Sequence, residues 1–290
     1  MRKALTFLSL LLLLSSLNEI SAQVVVFNTR IDSSIGSLSF TAGDFVQYDL
    51  STNEASIYFP SGNFTQVGTN DINPDALSVR DDGSFVLSSR QNLGLAGTTF
   101  NQRQLVSYDL IAAEAAILFG GSSGFDIAGA DILDNGNYLL AGKQDTSFGG
   151  QDYEIGDVVE FDLSTGTVVG TFFSHENFIR PDEPGALSAP ANIDAVDFYD
   201  GKLLFSTTNE ADIRTPSGGR FRVDQESVYA FDLLTGETSL FFDGGSIFNG
   251  NTDVKSFSVL STSTGATAIP EPSSSMLAVF GLLLLCRRSR

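Results

Sequence analysis

The sequence predicts an all-β domain in which one four-stranded unit recurs four times. Three observations predict it. The chain holds 28 Gly and 24 Phe but only two Met and no Trp in 290 residues, a composition that suits pleated strands and tight turns better than a helical bundle. A strand ending in aromatic, Asp, Leu recurs four times, and within each recurrence apolar residues alternate, as a strand with one buried face requires. With 42% hydrophobic and 18% charged residues, the chain can bury a core, and it lacks the several long apolar runs of a multi-span membrane protein.

Read in order, 24–27 resembles the second strand of a unit whose first strand is missing. The repeat then appears at 45–50 (FVQYDL), 105–110 (LVSYDL), 158–163 (VVEFDL) and 228–233 (VYAFDL). Its aspartates Asp49, Asp109, Asp162 and Asp232 lie 60, 53 and 70 residues apart, a period too long for a helical solenoid and suited to a four-stranded sheet. Each is followed by a tight turn and a strand ending in Phe59, Phe119, Phe173 or Phe242. An Asp at such a position accepts bonds from nearby backbone amides, so these four read as turn residues. A second hairpin follows, with turns Asp81-Asp82-Gly83, Asp134-Asn135-Gly136 and Asp200-Gly201 that tolerate positive φ. Finally 254–260 reads as a first strand with no partner after it. It supplies what 24–27 lacks, so the expected fold is a β-propeller of four blades of four antiparallel strands, closed by pairing of the N- and C-terminal strands. Five blades, or a β-sandwich, are the alternatives.

Connection lengths separate two faces. The turns above are short, whereas 28–43, 89–104, 142–156 and 208–226, and then 60–74, 120–127, 174–192 and 243–252, are long. They show no periodicity of their own and emerge together in a propeller, which makes that face the candidate binding surface. At the entrances of the innermost strands stand Asp75, Asp194 and Asp253, with Asn73 and Asn192 close by, while the third repeat offers Asp126 and Asp131 near Gly129. Converging on a central mouth, the three aspartates would form an oxygen ring suited to Ca²⁺; solvated or backbone-bonded strand-end aspartates are the plainer expectation.

The two ends carry targeting information. Met1, Arg2 and Lys3, an apolar run, then Ser21 and Ala22 have the layout of a signal peptide cleaved between Ala22 and Gln23. At the other end a Ser, Thr and Gly linker leads to Pro270-Glu271-Pro272, an apolar stretch over 276–286, and Arg287, Arg288 and Arg290. That order resembles the PEP-CTERM sorting signal of bacterial exported proteins. The resemblance covers about 21 residues and implies a short transmembrane helix and processing by an exosortase-type membrane protease. At about 1.5 Å per residue the 11 apolar residues reach roughly 16 Å, short of a hydrocarbon core of about 30 Å. The arginines favour the cytoplasmic side, leaving the domain outside. The chain thus divides into a signal peptide 1–22, a propeller-like domain 23–262, a linker 263–269 and a sorting signal 270–290.

Between Gln23 and Ala268 there is no Cys, and 33 acidic residues face 11 basic ones, a difference of 22 negative charges. Such a domain repels nucleic acid. The one histidine, His175, lies in a long loop without a partner constellation, and no nucleophile elbow or phosphate loop is present. The first functional reading is therefore a non-enzymatic exported protein, anchored transiently and then held at the cell surface or in the extracellular matrix. Its long-loop face would bind exopolysaccharide or surface proteins. The others are a calcium-dependent propeller hydrolase or lactonase using the acidic ring, and a structural scaffold.

Overall fold

The computed structural model describes residues 23–68, 72–80, 82–120, 125–179 and 191–261. The expected signal peptide up to Ala22, and the expected linker, sorting signal and helix with Pro270, Glu271, Pro272, Arg287, Arg288 and Arg290, lie outside the described residues; Gln23 opens the first strand. Among the described residues no helix is long and apolar enough to cross a membrane.

The protein is all-β. Four antiparallel four-stranded sheets carry it, and each is one repeat of the sequence. The first combines both ends of the described chain: β1 (Gln23–Thr29), β4 (Phe45–Asp49) and β5 (Glu54–Phe59) follow the C-terminal β25 (Val254–Ser261) in the order β25-β1-β4-β5. The second holds β7 (Pro74–Val79), β8 (Phe85–Ser89), β11 (Gln104–Asp109) and β12 (Glu114–Gly120), and the third β13 (Ile127–Ile132), β14 (Tyr138–Gly142), β17 (Val158–Asp162) and β18 (Thr167–Phe173). The fourth is β19 (Ile193–Tyr199), β20 (Lys202–Thr207), β23 (Val228–Asp232) and β24 (Thr238–Phe242). The expected pairing of the ends forms, Gln23 against Ser261 through Thr29 against Val254. It completes one sheet and no more: the four ladders remain separate and are not closed into a ring by strand pairing.

Sheets meet instead through side chains of their innermost strands, with β7 against β13, β13 against β19, β19 against β25 and β25 against β7. One equivalent position on each strand makes the link. Asp131 Oδ2 accepts from the Phe198 amide at 2.9 Å, Asp197 Oδ2 from Val259 at 2.8 Å, and Ser258 Oγ from Val79 at 3.0 Å, while Ser78 Oγ donates to Asp131 Oδ1 at 2.7 Å. Burial of these polar groups is tolerable because each has a partner. Around them the core divides into four apolar clusters set between neighbouring sheets, one of them joining Phe27, Phe242, Phe248, Val254 and Phe257.

The long connections are more regular than the sequence suggests. Each link from the second to the third strand of a sheet contains a hairpin: β2 (Ser33–Ile35) with β3 (Leu38–Phe40), β9 (Leu93–Leu95) with β10 (Thr98–Phe100), β15 (Thr146–Phe148) with β16 (Gln151–Tyr153), and β21 (Ala211–Arg214) with β22 (Arg220–Val223). Strands of three or four residues are too short to display an alternation. Each link from one unit to the next then places a Phe on the following hairpin: Phe64, in β6 (Phe64–Gln66), pairs with Leu95, Phe178 bridges to Ile213, and Phe248 bridges to Ile35. In the second unit Phe125 stacks on Phe148 with centroids 4.1 Å apart.

Candidate functional site

The register of the innermost strands decides what the mouth contains. Every one of them carries a bulge near its start, where Ala128, Asp194 and Lys255 have no opposite number in the ladder and Asp75 lies within the matching shift of β7. A bulge turns its residue out of the pleat. Asp75, Ala128, Asp194 and Lys255 therefore occupy equivalent positions, three residues before the linking Ser78, Asp131, Asp197 and Ser258. Asp253 belongs two residues earlier, with Asn73, Asp126 and Asn192, whose carbonyls accept the amides of Arg90, Lys143 and Thr208 as the Asp253 carbonyl accepts that of Arg30. Of the three aspartates expected at the strand entrances, Asp75 and Asp194 therefore share one position of their strands and Asp253 takes the other, and the first sheet, through β25, places Lys255 where the second and fourth sheets carry Asp75 and Asp194.

That lysine changes the electrostatics of the mouth. Lys255 is 2% exposed and its ammonium pairs with Asp75 Oδ1 at 2.6 Å, with the Asn73 side chain and with the Pro74 carbonyl at 2.9 Å. Lys143 Nζ holds the other Asp75 oxygen at 2.5 Å. Arg30 joins Asp194 Oδ2 at 2.9 Å to Asp253 Oδ2 at 3.0 Å. Three carboxylates thus meet three side-chain cations. Burial lowers the Lys255 ammonium to about 8, against the opposing pull of Asp75. Burial raises the Asp194 carboxyl, with Arg30 and Lys255 working the other way, and raises that of Asp253 against Arg30. Among the described residues no group of three or more His, Cys, Asp or Glu is arranged to hold a metal ion. Asp126 is apart from this network, against Arg103 at 3.4 Å, and Asp131 lies in the interstrand link.

Outward from the mouth, on the face of the long connections, an open cleft of about 700 Å³ is lined by Arg30, Asp32, Thr41, Ser61, Gln66 and Asn73 among others. Its wall is braced by Asp44, which accepts the Thr41 amide at 2.7 Å and the Ser61 amide at 2.6 Å. Burial acts to raise the Asp44 carboxyl, but the bonds from Ser61 and Thr41 outweigh it and hold it below its ordinary value. Asp157 does the same work in the third unit, accepting the His175 amide at 2.7 Å, with His175 Nδ1 at 2.9 Å from the same oxygen and Nε2 at 3.0 Å from Glu154. His175 is thereby a bracing residue of that loop. Sequence reasoning missed Lys255, Lys143 and Arg30; the signal available was a basic residue directly after the second strand in three units, Arg30, Arg90 and Lys143.

No family model and no curated protein matches the chain. Among solved structures it is similar to a chain of the nidogen/laminin complex, with a TM-score of 0.38 and 11% identity over 82% of this chain and 99% of that one. A protein of unknown function from Bacteroides caccae gives 0.37 and 11% over 83% and 99%. Virginiamycin B lyase from Staphylococcus aureus gives 0.31 and 10% over 78% and 71%. Likenesses this low carry no argument about function.

Proposed function

We propose that the chain is an exported four-bladed propeller, held at the membrane by its C-terminal segment until an exosortase-type protease removes it, and that its long-connection face binds polysaccharide or protein partners at the cell surface or in the extracellular matrix. The observation that carries the binding role is the asymmetry of the two ends. Every unit builds an extra hairpin and a Phe-anchored closing segment at one end of its sheet, whereas the other end holds short turns and, in the first unit, the paired ends of β1 and β25, and the cleft of about 700 Å³ opens among those hairpins. Elaborated connections on a rigid scaffold are where recognition is usually placed.

The test is co-sedimentation of the full chain with exopolysaccharide from the producing cells, alongside capture of surface proteins. Replacing Ser61 and Gln66 by Trp to fill the cleft is expected to lower recovery at least fivefold, while Asn137→Trp on the opposite end leaves it unchanged. Equal recovery for all three removes the reading. Processing is tested separately: changing Pro270-Glu271-Pro272 to alanines should keep the chain in the membrane fraction.

A calcium-dependent hydrolase is the second reading, favoured by the burial of Asp75 and Asp194 at equivalent positions of one mouth. Calcium would have to displace Lys143, Lys255 and Arg30 from these carboxylates. Calorimetry at millimolar calcium decides it, and an absence of heat above buffer ends it.

A further inference from the structure

The four turns that join third to fourth strands are capped alike but tipped differently. Asp49 accepts the Ser51 amide at 2.7 Å, Asp109 that of Ile111 at 2.8 Å, Asp162 that of Ser164 at 2.8 Å and Asp232 that of Leu234 at 2.9 Å. In the first and third units the capped residue is a serine whose hydroxyl also donates to the carboxylate, at 2.6 Å in both. In the second and fourth it is Ile111 or Leu234, 90% and 94% exposed. These two turns give up a hydrogen bond and hold a large aliphatic side chain in water. Neither tip carries a charge: Ile111 is followed by Ala112 and Ala113, and Leu234 by Thr235 and Gly236.

The same end of the molecule delivers the chain toward its sorting segment. Ser261 pairs with Gln23, whose carbonyl accepts the Leu50 amide beside the first of these turns at 3.0 Å. Fourteen residues, 262–275, separate β25 from the apolar stretch 276–286, a reach of at most about 50 Å. We propose that, while the chain is anchored, this turn end faces the bilayer and Ile111 and Leu234 insert into its interface. The inference rests on the anchoring reading above. A tether this short keeps the local lipid concentration high enough for two side chains to matter. The acidic residues of these two turns, Asp109 and Glu114 around Ile111 and Asp232 and Glu237 around Leu234, select a zwitterionic lipid surface over an anionic one and oppose pairing with a second copy. The long-connection face is then turned away from the membrane.

The experiment uses the full chain with Cys286→Ser, carrying Ile111→Cys, Leu234→Cys, Ser51→Cys or Ser164→Cys labelled with an environment-sensitive fluorophore and reconstituted in phosphatidylcholine vesicles. Flotation reads anchoring first. In floating protein, a lipid-borne quencher is expected to act at least twofold more strongly at 111 and 234 than at 51 and 164. Equal quenching at all four sites overturns the insertion and leaves the anchor intact. Failure to float overturns the anchoring reading and the insertion with it. A label shift at 111 and 234 that grows with protein concentration in detergent also overturns it, in favour of contact between copies.

Discussion

Two residues show how position in the repeat sets chemistry. Asn53, Ala113, Gly166 and Gly236 take the same left-handed backbone position in the four outer turns, and Ala113 does so at φ 55°. Alanine is strained there and glycine is not. Ala113→Gly is expected to stabilise the domain by about 0.5–1 kcal/mol, measured by urea unfolding. Asp197 is different because its position holds serine in two other units. Burial, reinforced by the neighbouring Asp131 charge, pushes its carboxyl well above the ordinary carboxylate value. A group raised in the folded state contributes stability that is full below the unfolded pKa and is lost as pH rises through the folded one. Asp197→Asn retains an acceptor for the Val259 amide without the charge, so it is expected to be more stable than the parent at pH 8, with the gap closing toward pH 4. Thermal unfolding across that range checks it, and a gap that stays constant with pH would refute the assignment.

At the scale of elements, the innermost strands pack closely because of what they lack. A Cβ added at Gly129 would lie 2.8 Å from the Val196 amide nitrogen and 3.0 Å from the Ala195 backbone, where no flexible side chain can yield. Gly129→Ala therefore has to part β13 from β19, at an expected cost of about 1–3 kcal/mol, seen as a lower urea midpoint with an unchanged slope. The hairpins on the long-connection face were hidden in the sequence for a related reason. Ser33–Ile35 or Thr146–Phe148 spans a single alternation, too little to register as a period, and their order comes from pairing and from the Phe that each preceding unit lays against them. The repeat of second phenylalanines, Phe64, Phe125, Phe178 and Phe248, was the legible sign of it.

For the whole molecule, cohesion between sheets rests on side chains at two levels: the Asp and Ser links of the innermost strands, and the phenylalanines that clasp each unit to the next hairpin. Phe248 joins the last unit to the first, with its ring 5.5 Å from Phe27 and 6.0 Å from Phe242. Phe248→Ala is expected to cost about 3–5 kcal/mol while the urea transition remains single, since both sheets share that core cluster; a split transition would show that the units unfold separately. The sequence alone determined the all-β class, the four units, the pairing of both ends in one sheet and the structural role of the four turn aspartates, because each rests on local alternation, turn chemistry or a period along the chain. The tertiary structure alone decided the content of the mouth. Whether Asp253 or Lys255 matches Asp75 and Asp194 depends on a bulge in each innermost strand, a shift that moves side chains between faces without leaving a mark in the spacing of residues.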